Sequence, residues 1–375
     1  MGSRSRGDVE IDRRGRQLDS DPQQPSEPRR ALTASEQAVG VLFGLWMVLG
    51  LFLDGWAHDN GEPESFFTPW HGVLYSGFLA ASGAALYLAR PRSGASWRRS
   101  MPRGHGLTLI GLLVFATGAM GDLVWHEVLG VELGLEALLS PTHLLLLVGG
   151  LIALSAPFRS VWSDSDERIH QPGGFVVLSL SLALLVSIAG FFLVFLSPFV
   201  NDAAGARFDR QPAVLHDHPS TDVGELQQLL GVASILVTTV LLVVPILLVL
   251  RRWMPPPHTF LLLITVVVVL FVGLAEFDQV GLLPVGAAAG WSADLAVRKG
   301  HPQLAGVVMS AVLWSSYFAL YHVTVAPVAW SAELWTGSIV LAVLFAGGLT
   351  LVAGPMHSRA WHRPIGTDHE TSVVR

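Results

Sequence analysis

Several apolar runs in this chain are longer than 18 residues, and they constrain the fold more than any other feature. A run of that length is long enough to cross the hydrocarbon layer of a bilayer as a helix. Composition agrees, because 51% of the 375 residues are hydrophobic, 14% are charged and the mean hydropathy is +0.52. Soluble domains carry about 25% charged residues. The sequence therefore predicts an all-α, polytopic transmembrane bundle of about nine spans, built from repeated helix hairpins.

The apolar runs also divide the chain. Residues 1–30 are polar and have no apolar segment, which predicts a disordered cytoplasmic tail, and residues 356–375 form a second polar tail. The intervening membrane region divides into 31–156 and 157–355. The predicted spans are 36–57, 69–89, 106–126, 139–156, 174–197, 224–250, 259–278, 302–322 and 333–353. The Gly- and Ala-rich stretch 281–300 is predicted to be a short re-entrant or interfacial helix.

Arginine predicts the orientation of these spans. The N-terminal tail, the loop from Arg90 to Arg103 and the pair Arg251–Arg252 are basic and fall on one side, which the positive-inside rule makes cytoplasmic. We therefore predict an integral protein of a bacterial-type plasma membrane with its N-terminus in the cytoplasm. Seven of the 14 histidines then fall on the outer side: His58, His71, His126, His143, His216, His218 and His301.

Two similar motifs close one apolar run and open the next. In the first, Asp54 and His58 are four residues apart and share a helix face. Thr68-Pro69 then predicts a helix N-cap followed by proline at the first helical position, which puts His71 in the first turn. A short loop between antiparallel helices would bring these three side chains to one end of a hairpin.

The second motif repeats this order with Asp122, His126 and His143, the last preceded by the cap sequence Ser140-Pro141. Asp54 and His58 are each offset from their counterparts by 68 positions, whereas His71 is offset by 72. We interpret the two hairpins as an internal repeat with a longer loop in the second copy.

Two imidazoles and one carboxylate are a ligand set for copper, zinc or non-haem iron. Three protein ligands leave a coordination position open for water or substrate. The structural alternative is that capped helix starts with Trp and His are ordinary features of a membrane interface. Recurrence of the whole triad favours metal binding, as does the cost of about 2.5–3.5 kcal/mol for an ionisable group at membrane depth. The chain has no cysteine, so thiolate ligands and disulfides are excluded.

Two further clusters are weaker candidates. Glu276 and Asp278 end an apolar run and could pair with another helix or relay protons. His216 and His218 flank an aspartate in a polar loop, where a solvated segment is commoner than a metal site. Nothing in the sequence indicates nucleic-acid binding.

The first motif resembles a known family. Asp54, His58 and His71, with Phe67-Thr68-Pro69 before the last histidine, are similar in type and spacing to the membrane copper site in the C subunit of particulate methane and ammonia monooxygenases. The second motif is similar to the family's second site, with Asp122 where the family has asparagine and a longer gap before His143. The resemblance covers roughly residues 36–150.

This resemblance implies copper bound by Asp54, His58 and His71, and by Asp122, His126 and His143. It also implies oxidation of a small apolar substrate from the bilayer with dioxygen, in a complex with other membrane subunits or as a homo-oligomer. Three alternatives stay open: a copper-storing or copper-delivering protein without turnover, a zinc-dependent intramembrane hydrolase, and a proton-coupled transporter.

Overall fold

The structure is a computed structural model that describes residues 30–61, 67–91, 100–130, 134–164, 169–201 and 223–356. Within these ranges the regular structure is entirely helical, which confirms the predicted all-α class. The two terminal tails and the loop that holds His216 and His218 lie almost wholly outside the described residues, so those predictions stay predictions.

The structure defines the helices as follows. They are α1 (Ala34–Asp59), α2 (Pro69–Ala89), α3 (Thr108–Leu129), α4 (Leu135–Leu139), α5 (Pro141–Leu154), α6 (Ala156–Ser163), α7 (Gly174–Phe191), α8 (Val223–Arg252), α9 (Thr259–Leu274), α10 (Leu283–Arg298), α11 (Ala305–Thr324) and α12 (Ala332–Ala353). Helices α5 and α6 run on as one apolar segment, Pro141–Ser163. Short 3₁₀ turns occupy Val194–Leu196, Val280–Leu282 and Pro302–Leu304.

Nine helical segments in the described part of the chain are long and apolar enough to cross a membrane. Their number equals the predicted number of spans, but two of the segments that qualify or fail to qualify differ from the prediction. The run predicted over 259–278 is the 16-residue helix α9, shorter than the other candidates, whereas 280–298 qualifies as a span. The prediction of a short re-entrant or interfacial helix at 281–300 was therefore wrong.

The reason for that error is that α10 packs against protein. Helix α10 lies between α9 and α11. A methyl group added at Gly290 would sit 2.5 Å from the carbonyl oxygen of Phe260, so the two backbones nearly touch there. Small residues permit this close contact between membrane helices, and they also lower the hydropathy that span prediction uses.

The antiparallel packing of α9 and α10 changes the predicted position of His301. Residue 294 near the end of α10 contacts residues 260 and 261 at the start of α9, and Gly281 contacts Thr324 at the end of α11. His301 therefore lies at the same end of the bundle as the start of α9, not at the end where α9 meets the tip of α1. The prediction that His301 lies on the same side as His58, His71, His126 and His143 was wrong.

Two tight hairpins form the N-terminal part of the bundle, α1 with α2 and α3 with α5. An added methyl group at Gly50 would lie 2.5 Å from the Cα atom of Leu74, and one at Gly118 would lie 2.9 Å from the nitrogen of Leu146. A larger residue at either position would push the helices apart. Glycine at these crossings therefore fixes how far each Asp lies from the histidine of the next helix.

Helix α7 joins the hairpins to the second half of the bundle. It packs against α1 and α5 on one side and against α9 on the other. The ring of Phe52 on α1 lies 5.3 Å from the rings of both Phe191 on α7 and Phe271 on α9. The end of α1 that carries Asp54 thus rests on an aromatic cluster that both halves of the chain supply.

One buried carboxylate in the second half has a structural role. Helix α9 begins after His258, whose side chain makes no capping hydrogen bond. Instead, the backbone N–H groups of Phe260 and Leu261 donate to the two carboxylate oxygens of Asp294 on α10, at 3.2 and 3.0 Å. Asp294 therefore caps α9 from a neighbouring helix, satisfying donors that a helix start leaves without partners.

We expect Asp294→Ala to lower the free energy of unfolding by about 1–3 kcal/mol, because two buried N–H groups lose their acceptors. Chemical denaturation in detergent micelles measures the change. Asp278→Ala is the matched control, since Asp278 is exposed. Equal stability of the two variants would contradict this role for Asp294.

Candidate metal centre

The structure brings the first predicted triad together at the junction of α1 and α2. Asp54 Oδ1 lies 3.2 Å from Nε2 of His71, and Asp54 Oδ2 lies 3.8 Å from Nε2 of His58. The carboxylate is buried, with only 8% of the residue exposed, whereas His58 is half-buried. The two imidazole rings meet edge to face with their centroids 6.2 Å apart.

The second triad has nearly the same geometry at the junction of α3 and α5. Asp122 lies 3.3 Å from Nε2 of His126 and 3.5 Å from Nε2 of His143, and these ring centroids are also 6.2 Å apart. In each triad, one ligand atom from each residue lies within 4.8 Å of the other two. All six side chains that the sequence singled out are therefore grouped as predicted.

The predicted helix caps hold the second histidine of each triad. Thr68 Oγ1 accepts a hydrogen bond from the backbone N–H of His71 and lies 3.1 Å from the Nδ1 atom of that ring. Ser140 Oγ does the same for His143, with a distance of 2.7 Å to Nδ1. With a proton on Nδ1, each ring donates to the hydroxyl oxygen, and its unprotonated Nε2 faces the carboxylate. Metal-binding histidines are usually oriented in this way.

The arrangement fits a metal ion. In each triad the two histidines approach different oxygens of one carboxylate at 3.2–3.8 Å. These separations are of the order expected for ligands of one ion, since ligand atoms about 2.0–2.1 Å from a tetrahedral ion lie roughly 3.3–3.4 Å apart. Asp54 Oδ1 supplies a second argument, because it is buried and accepts no hydrogen bond from any residue that the structure describes. Such an atom is costly unless something else compensates its charge. A cation held by the three side chains would do so.

The second triad differs in two details that the sequence did not predict. Thr142 Oγ1 donates a hydrogen bond of 3.1 Å to Asp122 Oδ1, so this oxygen is already partly satisfied. His126 Nδ1 is buried and has no hydrogen-bond partner among the described residues. The second triad therefore has a less available carboxylate and one less firmly oriented ring.

Both triads border one cavity of about 580 Å³. Asp54, His58 and His71 line it from one hairpin, and Asp122 and His143 line it from the other. Tyr75 also lines it, one helical turn after His71, and its ring stacks on that imidazole at 5.9 Å. The two candidate metal sites thus lie at one shared space.

Comparison with protein-family models, with curated proteins and with solved structures finds no match for this chain. The resemblance to the monooxygenase C subunit therefore depends on the two motifs and their spacing.

A residue from the second half contacts the first triad's helix. The indole N–H of Trp56, between Asp54 and His58, donates a 2.8 Å hydrogen bond to Glu276. Glu276 thus pairs with another helix, one of the two roles considered for it. It lies in a turn where Glu276 and Phe277 have φ values of 52° and 62°, a conformation that non-glycine residues seldom adopt. Sequence spacing gave no indication of this contact, because 220 positions separate the partners.

The caps lead to a test of ring positioning. We expect Thr68→Val to weaken metal binding at the first site by about 10–100-fold, because His71 loses the partner that orients its ring. Thr68→Ser should retain the affinity. Isothermal titration with the metal measures both.

Ser331→Ala is the matched control for helix capping, because Ser331 caps α12, and the residue it caps is Leu334. If Ser331→Ala weakens metal binding as much as Thr68→Val does, the effect comes from lost stability and not from the orientation of His71.

Proposed function

We propose that this chain is an integral membrane copper protein that resembles the C subunit of particulate methane and ammonia monooxygenases. The proposal depends on one observation: two Asp–His–His triads, each with a buried carboxylate, lie beside one largely apolar cavity. Asp54, His58 and His71 would hold one ion, and Asp122, His126 and His143 would hold the other. The chain offers nitrogen and oxygen ligands without thiolates, a set that suits Cu²⁺ but also admits zinc and iron.

Copper bound at these triads would supply redox chemistry towards dioxygen. The contribution of the chain itself is to arrange the ligands and to exclude water. Thr68 and Ser140 direct the Nε2 atoms of His71 and His143 towards the carboxylates. The apolar walls of the cavity would hold an apolar substrate next to the open coordination position. That arrangement favours turnover over simple copper storage, since a storage site has no use for a substrate-sized space.

We also infer that the two hairpins are copies of one unit. The glycines at the helix crossings support this, because Gly50 and Gly118 are separated by 68 positions and Gly77 and Gly149 by 72, the offsets found for the ligands. Their contacts correspond as well: an added methyl group at Gly77 would meet the nitrogen of Met47, and one at Gly149 would meet that of Phe115. Met47 and Phe115 are again 68 positions apart.

Metal analysis tests the ligand assignment. We expect the purified protein to contain copper, His71→Ala to lose most of it and His143→Ala to lose less, because the first triad has the more available carboxylate. The metal-to-protein ratio is measured by mass spectrometry of the metal content. Zinc in place of copper, or a greater loss with His143→Ala, would refute this proposal.

The shared cavity predicts coupling between the two sites. When both are filled with Cu²⁺, the paramagnetic resonance spectrum should be broadened by the neighbouring ion. Asp54→Asn should weaken binding of a first ion at the second site as well as at the first, since it removes a negative charge that attracts cations across the low-dielectric space between them. Unbroadened spectra at full occupancy would show that the sites act separately.

Consumption of dioxygen distinguishes a monooxygenase from a copper-storage protein. A monooxygenase should consume dioxygen in the presence of a reductant and an apolar substrate, and His71→Ala should abolish that consumption. A protein that releases copper to a chelator but consumes no dioxygen would be a storage or delivery protein.

A further inference from the structure

The cavity at the two triads is larger than metal sites and a diatomic molecule require. Its volume of about 580 Å³ equals the share of roughly nineteen water molecules in the liquid. Ligand pockets for molecules of substantial size typically have volumes of about 300–1,000 Å³. A molecule of one or two carbon atoms would leave most of this space unfilled and would not be held against the triads.

Apolar side chains from both halves of the chain line this cavity. The first half contributes residues such as Met47, Leu51 and Phe115, and the second half contributes Ile188, Phe191, Phe192, Phe195, Leu230 and Leu274. These side chains offer no hydrogen bonds and several flat faces, surfaces suited to a chain of methylene groups. The triads, Asp59 and Tyr75 contribute polar groups from the first half. The cavity therefore combines an apolar lining with polar groups, most of them from the two hairpins and two, Asn201 and Gln227, from the second half.

Phe191 fixes the position of this apolar wall beside the first triad. A methyl group added at Gly55, the residue after Asp54, would lie 2.5 Å from the Phe191 ring. The ring therefore packs directly on the backbone of α1 beside a ligand residue. A molecule lying along this wall reaches the first triad with one end.

We propose that the cavity binds a molecule with a linear alkyl chain of medium length, whose chain lies along Phe191, Phe195 and Leu230 and whose end meets the triads. This inference deepens the proposed function, because it names the class of molecule that reaches the metal sites. Alkyl binding depends on the cavity and not on the metal. An experiment can therefore refute the alkyl site without refuting the copper function, and the reverse. The alkyl chain can belong to a free alkyl compound or to the tail of a membrane lipid, and the test distinguishes these two sources.

The test uses n-alkanols that carry a terminal trifluoromethyl group, in nanodiscs that contain the full-length protein. Fluorine resonance should show a saturable bound signal, distinct from the bilayer signal, at one equivalent per protein. The octanol-length probe should saturate at an aqueous concentration at least tenfold lower than the butanol-length probe, since each methylene removed from water contributes about fourfold. Loading with Cu²⁺ should broaden the bound signal.

Leu230→Trp should weaken the saturable binding at least tenfold by filling the cavity. Leu229→Trp is the matched control, because both leucines are exposed, at 65% and 44%, but only Leu230 belongs to the cavity lining of the described chain. The copper content of both variants should equal that of the unchanged protein. Absence of a saturable signal, or equal weakening by both substitutions, would overturn the inference.

Two further measurements separate the sources and the proposals. Native mass spectrometry that shows one retained phospholipid, displaced by the octanol-length probe, assigns the alkyl chain to a membrane lipid, whereas a lipid-free protein that binds the probe assigns it to a free compound. Saturable alkanol binding in a protein that takes up no copper would support the alkyl site and refute the copper function. Copper binding without saturable alkanol binding would support the copper function and refute the alkyl site.

Discussion

The burial of two carboxylates at the ends of apolar helices is the constraint on which the rest of this structure depends. Asp122 is 1% exposed and Asp54 is 8% exposed. An ionised carboxylate away from water is stable only when cations or hydrogen-bond donors surround it. Each hairpin brings two imidazoles to the carboxylate, one from the same helix and one from the next, and a cation held among these three side chains would meet this requirement. The glycines at the helix crossings and the hydroxyl caps both serve that geometry.

The caps connect helix formation to site chemistry. Thr68 and Ser140 start α2 and α5 by accepting backbone hydrogen bonds, as residues of these types commonly do. The same oxygen atoms contact the Nδ1 atoms of His71 and His143. One hydroxyl group therefore defines both where the helix begins and how the imidazole is turned. A change at this position affects folding and ligand orientation together, which is why the capping control at Ser331 is needed.

The two halves of the chain have different roles at the cavity. The hairpins provide the ionisable groups and part of the apolar lining, and α7, α8 and α9 complete the apolar wall through residues such as Phe191, Leu230 and Leu274. The hydrogen bond from Trp56 to Glu276 and the packing of Phe52 on Phe271 hold this wall against α1. The second half, which has no counterpart in the motif resemblance, thus shapes the space beside the ligands.

The sequence by itself determined the helical membrane class and the grouping of each triad, because both depend on local spacing: apolar runs, a four-residue separation on one helix, and a cap three positions before His71. The same 68- and 72-position offsets would also have found the glycines at the helix crossings. Only the tertiary structure decided that α10 is a packed helix, since its small residues lower its hydropathy and their close contact with α9 involves residues distant in sequence. The tertiary structure was also needed to show that Phe191 packs on Gly55 and that both triads line one cavity. Contacts between residues more than a hundred positions apart depend on how the helices pack, and local spacing carries no information about that packing.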